Sequence, residues 1–274
     1  MGITLNMATP DSPDSGVHRA KGSAPAITVD GIRVSRGGRE AMRVDHLEIP
    51  HGVTALVGPN GSGKSTLLHA IAHVLPFVGD IDVGGDVAYV LQTQHASEHL
   101  LVTAREVVAL GRAAQRGPFG RLRANDRAAI DRAMDRLDIA DLAKQHLAEM
   151  SGGQRQRVFV AQGVAQEADI LLLDEPVAGL DIVSIGQIRK IIEEERAAGR
   201  TVVVATHDLD EAARADHVVL VKGRVVSSGP PAEALTPQHL VAAYGGRVLQ
   251  LGDEVVAIDD GVHHEDHEHH HHDH

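Results

Sequence analysis

Gly58-Pro59-Asn60-Gly61-Ser62-Gly63-Lys64-Ser65-Thr66 decides how this chain is to be read. The stretch fits G-x-x-x-x-G-K-[ST], and its flanks supply the context that the pattern needs. Before it, Val53 to Val57 is an apolar run of strand length. After it, Leu67, Leu68, Ile71, Ala72 and Leu75 fall at helical spacing. Glycines let the backbone curl so that successive N–H groups point inward at phosphate oxygens. The helix N-terminus adds its dipole and Lys64 a full charge. Gly58, Asn60, Gly61, Ser62, Gly63, Lys64, Ser65 and Thr66 are therefore the expected cradle of a nucleoside triphosphate.

Further along, Ile170-Leu171-Leu172-Leu173-Asp174-Glu175-Pro176 reads as a buried strand ending in two carboxylates. Such a strand is expected to bring Asp174 beside the phosphate loop, where it can hold Mg²⁺ with the Ser65 hydroxyl. Magnesium keeps most of its water, so one hydroxyl and one carboxylate suffice. Glu175, pointing to the other side of the strand axis, can polarise an attacking water, or it can cap the next turn. Ser151-Gly152-Gly153-Gln154 precedes a helical pattern (Val158, Val160, Ala161, Val164), with Ser151 as N-cap and the positive helix end aimed outward. His207 follows the apolar run Val202 to Ala205, so it lies at a strand's C-terminal end, where open α/β sheets place their ligand crevice.

Phosphate loop, S-G-G-Q, L-L-L-D-E-P, Gly179-Leu180-Asp181 and Thr206-His207-Asp208 occur in the order found in ATP-binding-cassette (ABC) ATPases, which this chain resembles from about Ile27 to about Leu235. The leucine that usually precedes S-G-G-Q is Met150 here, a volume-conserving change. The resemblance implies an α/β fold: a phosphate-loop, RecA-like core with a small antiparallel β-subdomain and a helical insertion. It implies ATP with Mg²⁺, and a head-to-tail homodimer in which Ser151, Gly152, Gly153 and Gln154 of one subunit face the γ-phosphate held by the other's Lys64. By the same resemblance His207 bonds the γ-phosphate and orients the Glu175-bound water. Gln92 contacts Mg²⁺ and water, and Asp181 couples the two sites. The family commonly stacks an aromatic residue on adenine, whereas this chain has Arg36 at that place, a guanidinium that can also stack on a base.

Composition narrows the setting. With aromatics at 2% and no tryptophan, the core of this 274-residue chain must be Val, Leu, Ile and Ala. The absence of cysteine excludes disulfides and thiolate metal sites. No run approaches a membrane-spanning length. The net charge of −12 argues against nonspecific nucleic-acid binding. Residues 1–25, rich in Ser, Pro, Gly and Asp, read as a disordered arm. The ATPase domain is expected over 26–246, with its helical subdomain at about 96–150 comprising Thr103 to Arg112, Asp126 to Leu137 and Ala140 to His146. Strands near Ile27 to Val34 and Arg43 to Ile49 would open the antiparallel sheet. Strand–helix alternation from Ser151 to about Ser228 means a mostly parallel sheet.

Residues 247–262 hold two apolar runs around Gly252-Asp253, a plausible hairpin. The last twelve residues carry His263, His264, His267, His269, His270, His271, His272 and His274 among four carboxylates. Imidazole with carboxylate suits Zn²⁺, and the interleaved acids set the tract apart from an unbroken purification tag. A lone cassette with such a tail resembles the ATPase subunit of bacterial zinc or manganese importers. The implied partners are an integral membrane permease and a substrate-binding protein, with no nucleic acid, at the cytoplasmic face of the membrane. Rival readings are an iron-complex or cobalamin importer, an exporter, and a soluble ABC ATPase.

Overall fold

Alternation shapes the first elements. Along β1 (Ile27–Arg36) and β2 (Arg39–Ile49), Ile27, Val29, Ile32, Val34, Met42, Val44, Leu47 and Ile49 are buried while most intervening residues face solvent. The computed structural model describes residues 24–91, 101–117, 120–245, 248–251 and 254–257. The acidic tail, Gln92 and nearly all of the expected N-terminal arm lie outside these residues.

After the hairpin come β3 (Val53–Val57), the phosphate loop and α1 (Lys64–Ile71), then β4 (Val78–Val83) and β5 (Val87–Val90). The helical insertion contributes α2 (Ala104–Ala114) and α3 (Ala124–Arg136). The chain continues with α4 (Gly152–Val164), β6 (Ile170–Asp174), α5 (Ile182–Ala197), β7 (Thr201–Thr206), α6 (Leu209–Ala212), β8 (His217–Val221) and β9 (Val225–Gly229). Two short helices, α7 (Pro231–Ala234) and α8 (Pro237–Tyr244), and the paired strands β10 (Val248–Leu251) and β11 (Glu254–Ala257) end the described chain.

Six strands form the central sheet in the order β5-β6-β7-β3-β8-β9, parallel except for β9. Its central strands β6, β7 and β3 are buried at every position because both faces are covered. Period 2 sorts them. Leu171, Leu173, Val202 and Val204 pack toward the helices with Met134, Leu137 and Val158. Ile170, Leu172, Val203 and Ala205 pack toward α1 and the antiparallel sheet, with Leu67, Leu68, Val44 and Leu47.

Two local outcomes differ from the sequence reading. The antiparallel sheet has a third strand, β4, paired with β1. The expected helix over Ala140 to His146 is a run of turns, with i→i+3 bonds such as Leu142 N–H to Ile139 O and Gln145 N–H to Leu142 O. Seven residues are too few to carry a helix without strong packing, and the segment is tied instead to the strand-like stretch before α2, where Leu147 N–H bonds Val102 O. In the central sheet β7 lies between β6 and β3.

Candidate nucleotide site

The phosphate loop is shaped by contacts that only glycine allows. A Cβ on Gly58 would collide with the carbonyl oxygen of Val221 and crowd Ser62 Oγ. Gly63, the N-cap of α1, sits at φ 100°. Asn60 and Gly61 form the exposed tip, while Ser62, Lys64 and Thr66 are buried. The Lys64 ammonium donates to Gly58 O at 2.8 Å and to Pro59 O at 3.4 Å, so it lies across the loop's own mouth.

The two carboxylates reach this mouth by different routes. Asp174 shares the face of β6 that holds Ile170 and Leu172, the face toward α1. It is 3% exposed, its Oδ2 accepts from the Tyr89 hydroxyl at 3.4 Å, and its Oδ1 is buried without a hydrogen-bond partner. A desolvated carboxylate oxygen of this kind fits a metal ion, and Asp174, with Ser65 at the first turn of α1, would be the residues to hold Mg²⁺. Alternation alone would send Glu175 to the opposite face. Instead β6 ends at Asp174 and Glu175 adopts φ 46°. The other non-glycine residues with positive φ, His73, Asp138 and Glu167, each follow a helix C-terminus, where that conformation is common. Glu175 follows a strand, and such strain is typical of functional positions. The turn brings Glu175 Oε1 to 3.7 Å from Lys64 Nζ and 3.9 Å from His207 Nδ1.

A pocket of about 170 Å³ lies here, lined by Glu175, Val177, Gly179, His207 and Asp208. Around it the remaining expected residues divide. Ser151 is the N-cap of α4: its Oγ accepts from Gln154 N–H at 3.2 Å, and Gln154 Oε1 accepts from Ser151 N–H at 2.9 Å. Ser151 and Gly152 face solvent, whereas Gly153 packs so tightly on Ser184 and Asp181 that a Cβ would clash with both. Asp181 uses both carboxylate oxygens on Ser184, accepting from its N–H at 2.9 Å and its hydroxyl at 2.8 Å. These bonds hold the carboxyl below the usual carboxylate range. Arg36, at the exposed end of β1, is close enough to α1 and β5 for its charge to act on His69 and Tyr89. Among the described residues no cluster of three or more His, Asp and Glu side chains is arranged to hold a metal.

The sequence reading missed Tyr89 and His69. Burial, then the charge of Asp174, pushes the Tyr89 phenol well up, so it remains a donor. The His69 ring stands edge-on to Tyr89 at 5.3 Å, and burial lowers its pKa. Tyr89 is one of only two tyrosines in the chain and lies on the strand before Gln92, which was the available signal.

The sequence pattern of ABC transporters matches residues 44–178. The cobalamin import ATP-binding protein BtuD of Halobacterium salinarum is 38% identical over 241 residues, which cover 81% of this chain but 59% of that protein's length. The manganese transport system ATP-binding protein MntB of Halalkalibacterium halodurans is 30% identical, covering 85% of this chain and 98% of that protein. The zinc transport system ATP-binding protein TroB of Treponema pallidum is 33% identical, covering 82% and 89%. Among solved structures, a putative metal-chelate type ABC transporter in an inward-facing conformation superposes with a TM-score of 0.72 at 25% identity, over 84% of this chain and 95% of that one. With a phosphate loop, an acid-tipped strand and a capped S-G-G-Q helix in one chain, and with relatives matched over nearly their whole length, this chain belongs to the ABC transporter family as an ATP-binding cassette ATPase.

Proposed function

We propose that this chain hydrolyses ATP as the nucleotide-binding subunit of a membrane importer for a metal or metal chelate, with zinc as the cargo. The observation that carries hydrolysis is Glu175, turned out of its strand to stand between Lys64 and His207. When the triphosphate enters, Lys64 exchanges the Gly58 and Pro59 carbonyls for phosphate oxygens, and the Glu175 carboxylate is released to accept a proton from the attacking water. His207 orients that water and the γ-phosphate. Bound Mg²⁺ supplies charge neutralisation across the phosphates. Ser65, Asp174 and Gln92 would hold it.

A second copy of the chain completes the site in this reading. Ser151 and Gly152 expose a helix N-terminus, and Ile182 and Val183, directly after Asp181, are 88% and 65% exposed although apolar. A head-to-tail dimer would cover both. ATP must then favour the closed dimer by its differential affinity, and hydrolysis reopens it. A permease would convert that motion into alternating access, with a binding protein delivering cargo and the cassette held at the cytoplasmic face. No helix among the described residues is long and apolar enough to cross a membrane itself.

The choice of zinc rests on the eight histidines of residues 263–274. Neutral imidazole suits zinc better than manganese, which prefers oxygen ligands. The test is the ATPase rate of the full chain and of a form ending at Val262, across buffered free zinc. A zinc response that vanishes with the tail supports the reading; identical curves would remove the ground for zinc. A cobalamin cargo is favoured by the 38% identity to the Halobacterium protein. Uptake of zinc against cobalamin by the reconstituted transporter separates the two.

A further inference from the structure

His207 sits just past the end of β7, on an exposed segment beside open space. Behind Thr206 lies a mainly apolar cavity of about 220 Å³ lined by Val53, Ala55, Pro176, Ile192, Val204 and Ala215. Arg189, Thr206 and Glu211 form the wall between this cavity and the catalytic pocket. With open space on one side, side-chain hydrogen bonds brace that wall. They are well made. Thr206 Oγ1 accepts from Asp208 N–H at 3.1 Å and donates to Glu211 Oε2 at 2.9 Å, so the residues on both sides of His207 are tied together. Asp208 Oδ1 caps the following turn, accepting from Asp210 N–H and Glu211 N–H. The other oxygen of Glu211 accepts two bonds from the Arg189 guanidinium, at 3.2 and 3.1 Å.

Arg189 belongs to α5, and α5 is located by other parts of the molecule. Its first turn carries Asp181 and Ser184 against Gly153 of α4. Near its end, Glu194 and Glu195 receive Arg136 of α3 at 2.8 and 2.6 Å. We propose that Arg189, acting through Glu211 and Thr206, is a positioning residue for His207, so that the placement of α5 against α3 and α4 governs ATP turnover. The inference rests on the role given to His207 above. Displacement of the His207 ring by about an ångström misaligns the reacting groups, which is enough to lower turnover by about 10- to 100-fold.

The experiment measures kcat and KM for Mg-ATP, nucleotide affinity and thermal unfolding on the purified full chain. The variants are Arg189→Ala, Arg189→Lys, Glu211→Gln, His207→Ala and the double variant Arg189→Ala/His207→Ala. Arg189→Ala and Glu211→Gln should each lower kcat by about 10-fold or more while leaving KM and nucleotide affinity near the parent values. Arg189→Lys, which keeps one charged bond, should recover part of the loss. In the His207→Ala background, removing Arg189 should change kcat by about twofold or less. Parent-level kcat in Arg189→Ala, beside a crippled His207→Ala, would overturn the relay and leave the His207 role standing. A full loss repeated in the double variant would likewise overturn it, because Arg189 would then act elsewhere. Parent-level kcat in His207→Ala would refute the role of His207 and the relay with it.

Discussion

The phosphate loop and the helical insertion are fastened to one mostly parallel sheet by different means. At the loop the chain uses backbone: Gly58 against Val221 O, Lys64 folded onto Gly58 O, and Leu67, Leu68 and Ile71 of α1 buried beneath. At the insertion it adds charge to an apolar seam that buries Val108, Ile130, Met134 and Leu137. Arg112 bonds Asp126 at 3.1 Å and also the carbonyls of Ala165 and Gln166 at the end of α4. Arg116 adds two bonds to the same carboxylate at 2.9 and 2.7 Å, and Arg136 crosses from α3 to Glu194 and Glu195 on α5. A loop that must accept a polyanion cannot spend carboxylates on its own fastening, while an insertion that only needs a place can. Nucleotide binding and domain attachment should therefore fail separately.

The largest expected effect is at the loop. Lys64→Ala should weaken ATP binding by about 100-fold or more, measured by titration calorimetry, with thermal unfolding little changed. Glu175→Gln should leave binding intact, cut turnover by about 10²-fold and accumulate a nucleotide-bound dimer on size exclusion. A monomeric, fully active Glu175→Gln protein would contradict the mechanism. On the insertion side, Glu195→Ala removes a buried partner of Arg136 and Arg200 and should cost about 2 kcal/mol of folding stability while ATP affinity holds. If affinity fell with stability, the two fastenings would not be independent.

Acid should weaken the insertion selectively. The Arg116 guanidinium, with the Arg123 N–H and Arg112, holds the Asp126 carboxyl far below the usual carboxylate range. A carboxyl depressed in the folded state stabilises fully above its unfolded value, about 3.9, and loses that contribution as pH falls through the folded one. Asp126→Asn lacks the contribution at every pH. The difference in thermal midpoint between parent and variant should be constant near neutrality and shrink below about pH 4. A pH-independent difference would mean the charge of Asp126 is not what fastens α2 to α3.

Legibility followed the same division. The phosphate-loop pattern, the strand ending in Asp174 and the Ser151 cap were all readable because each is written in consecutive residues and local geometry. By contrast, β4 was missed because Val78-Gly-Asp-Ile-Asp-Val83 mixes turn residues into a half-exposed edge strand that only its pairing with β1 makes regular. The Ala140 to His146 helix was expected from a pattern too short to compete with a tie to Val102. Arg189 and Glu211 were invisible as site residues, since they meet between helices.

Sequence alone therefore determined the chemistry on offer: a triphosphate cradle, two adjacent carboxylates, a histidine at a strand end and a tail of imidazoles. Those are properties of residue type and short spacing. Only the tertiary structure decided how they meet. Placing β7 between β6 and β3, turning Glu175 through a left-handed conformation toward Lys64, and pinning the His207 segment to α5 all depend on contacts between residues distant in the chain. No local pattern encodes such contacts, because their energies exist only once the sheet and its covering helices have packed.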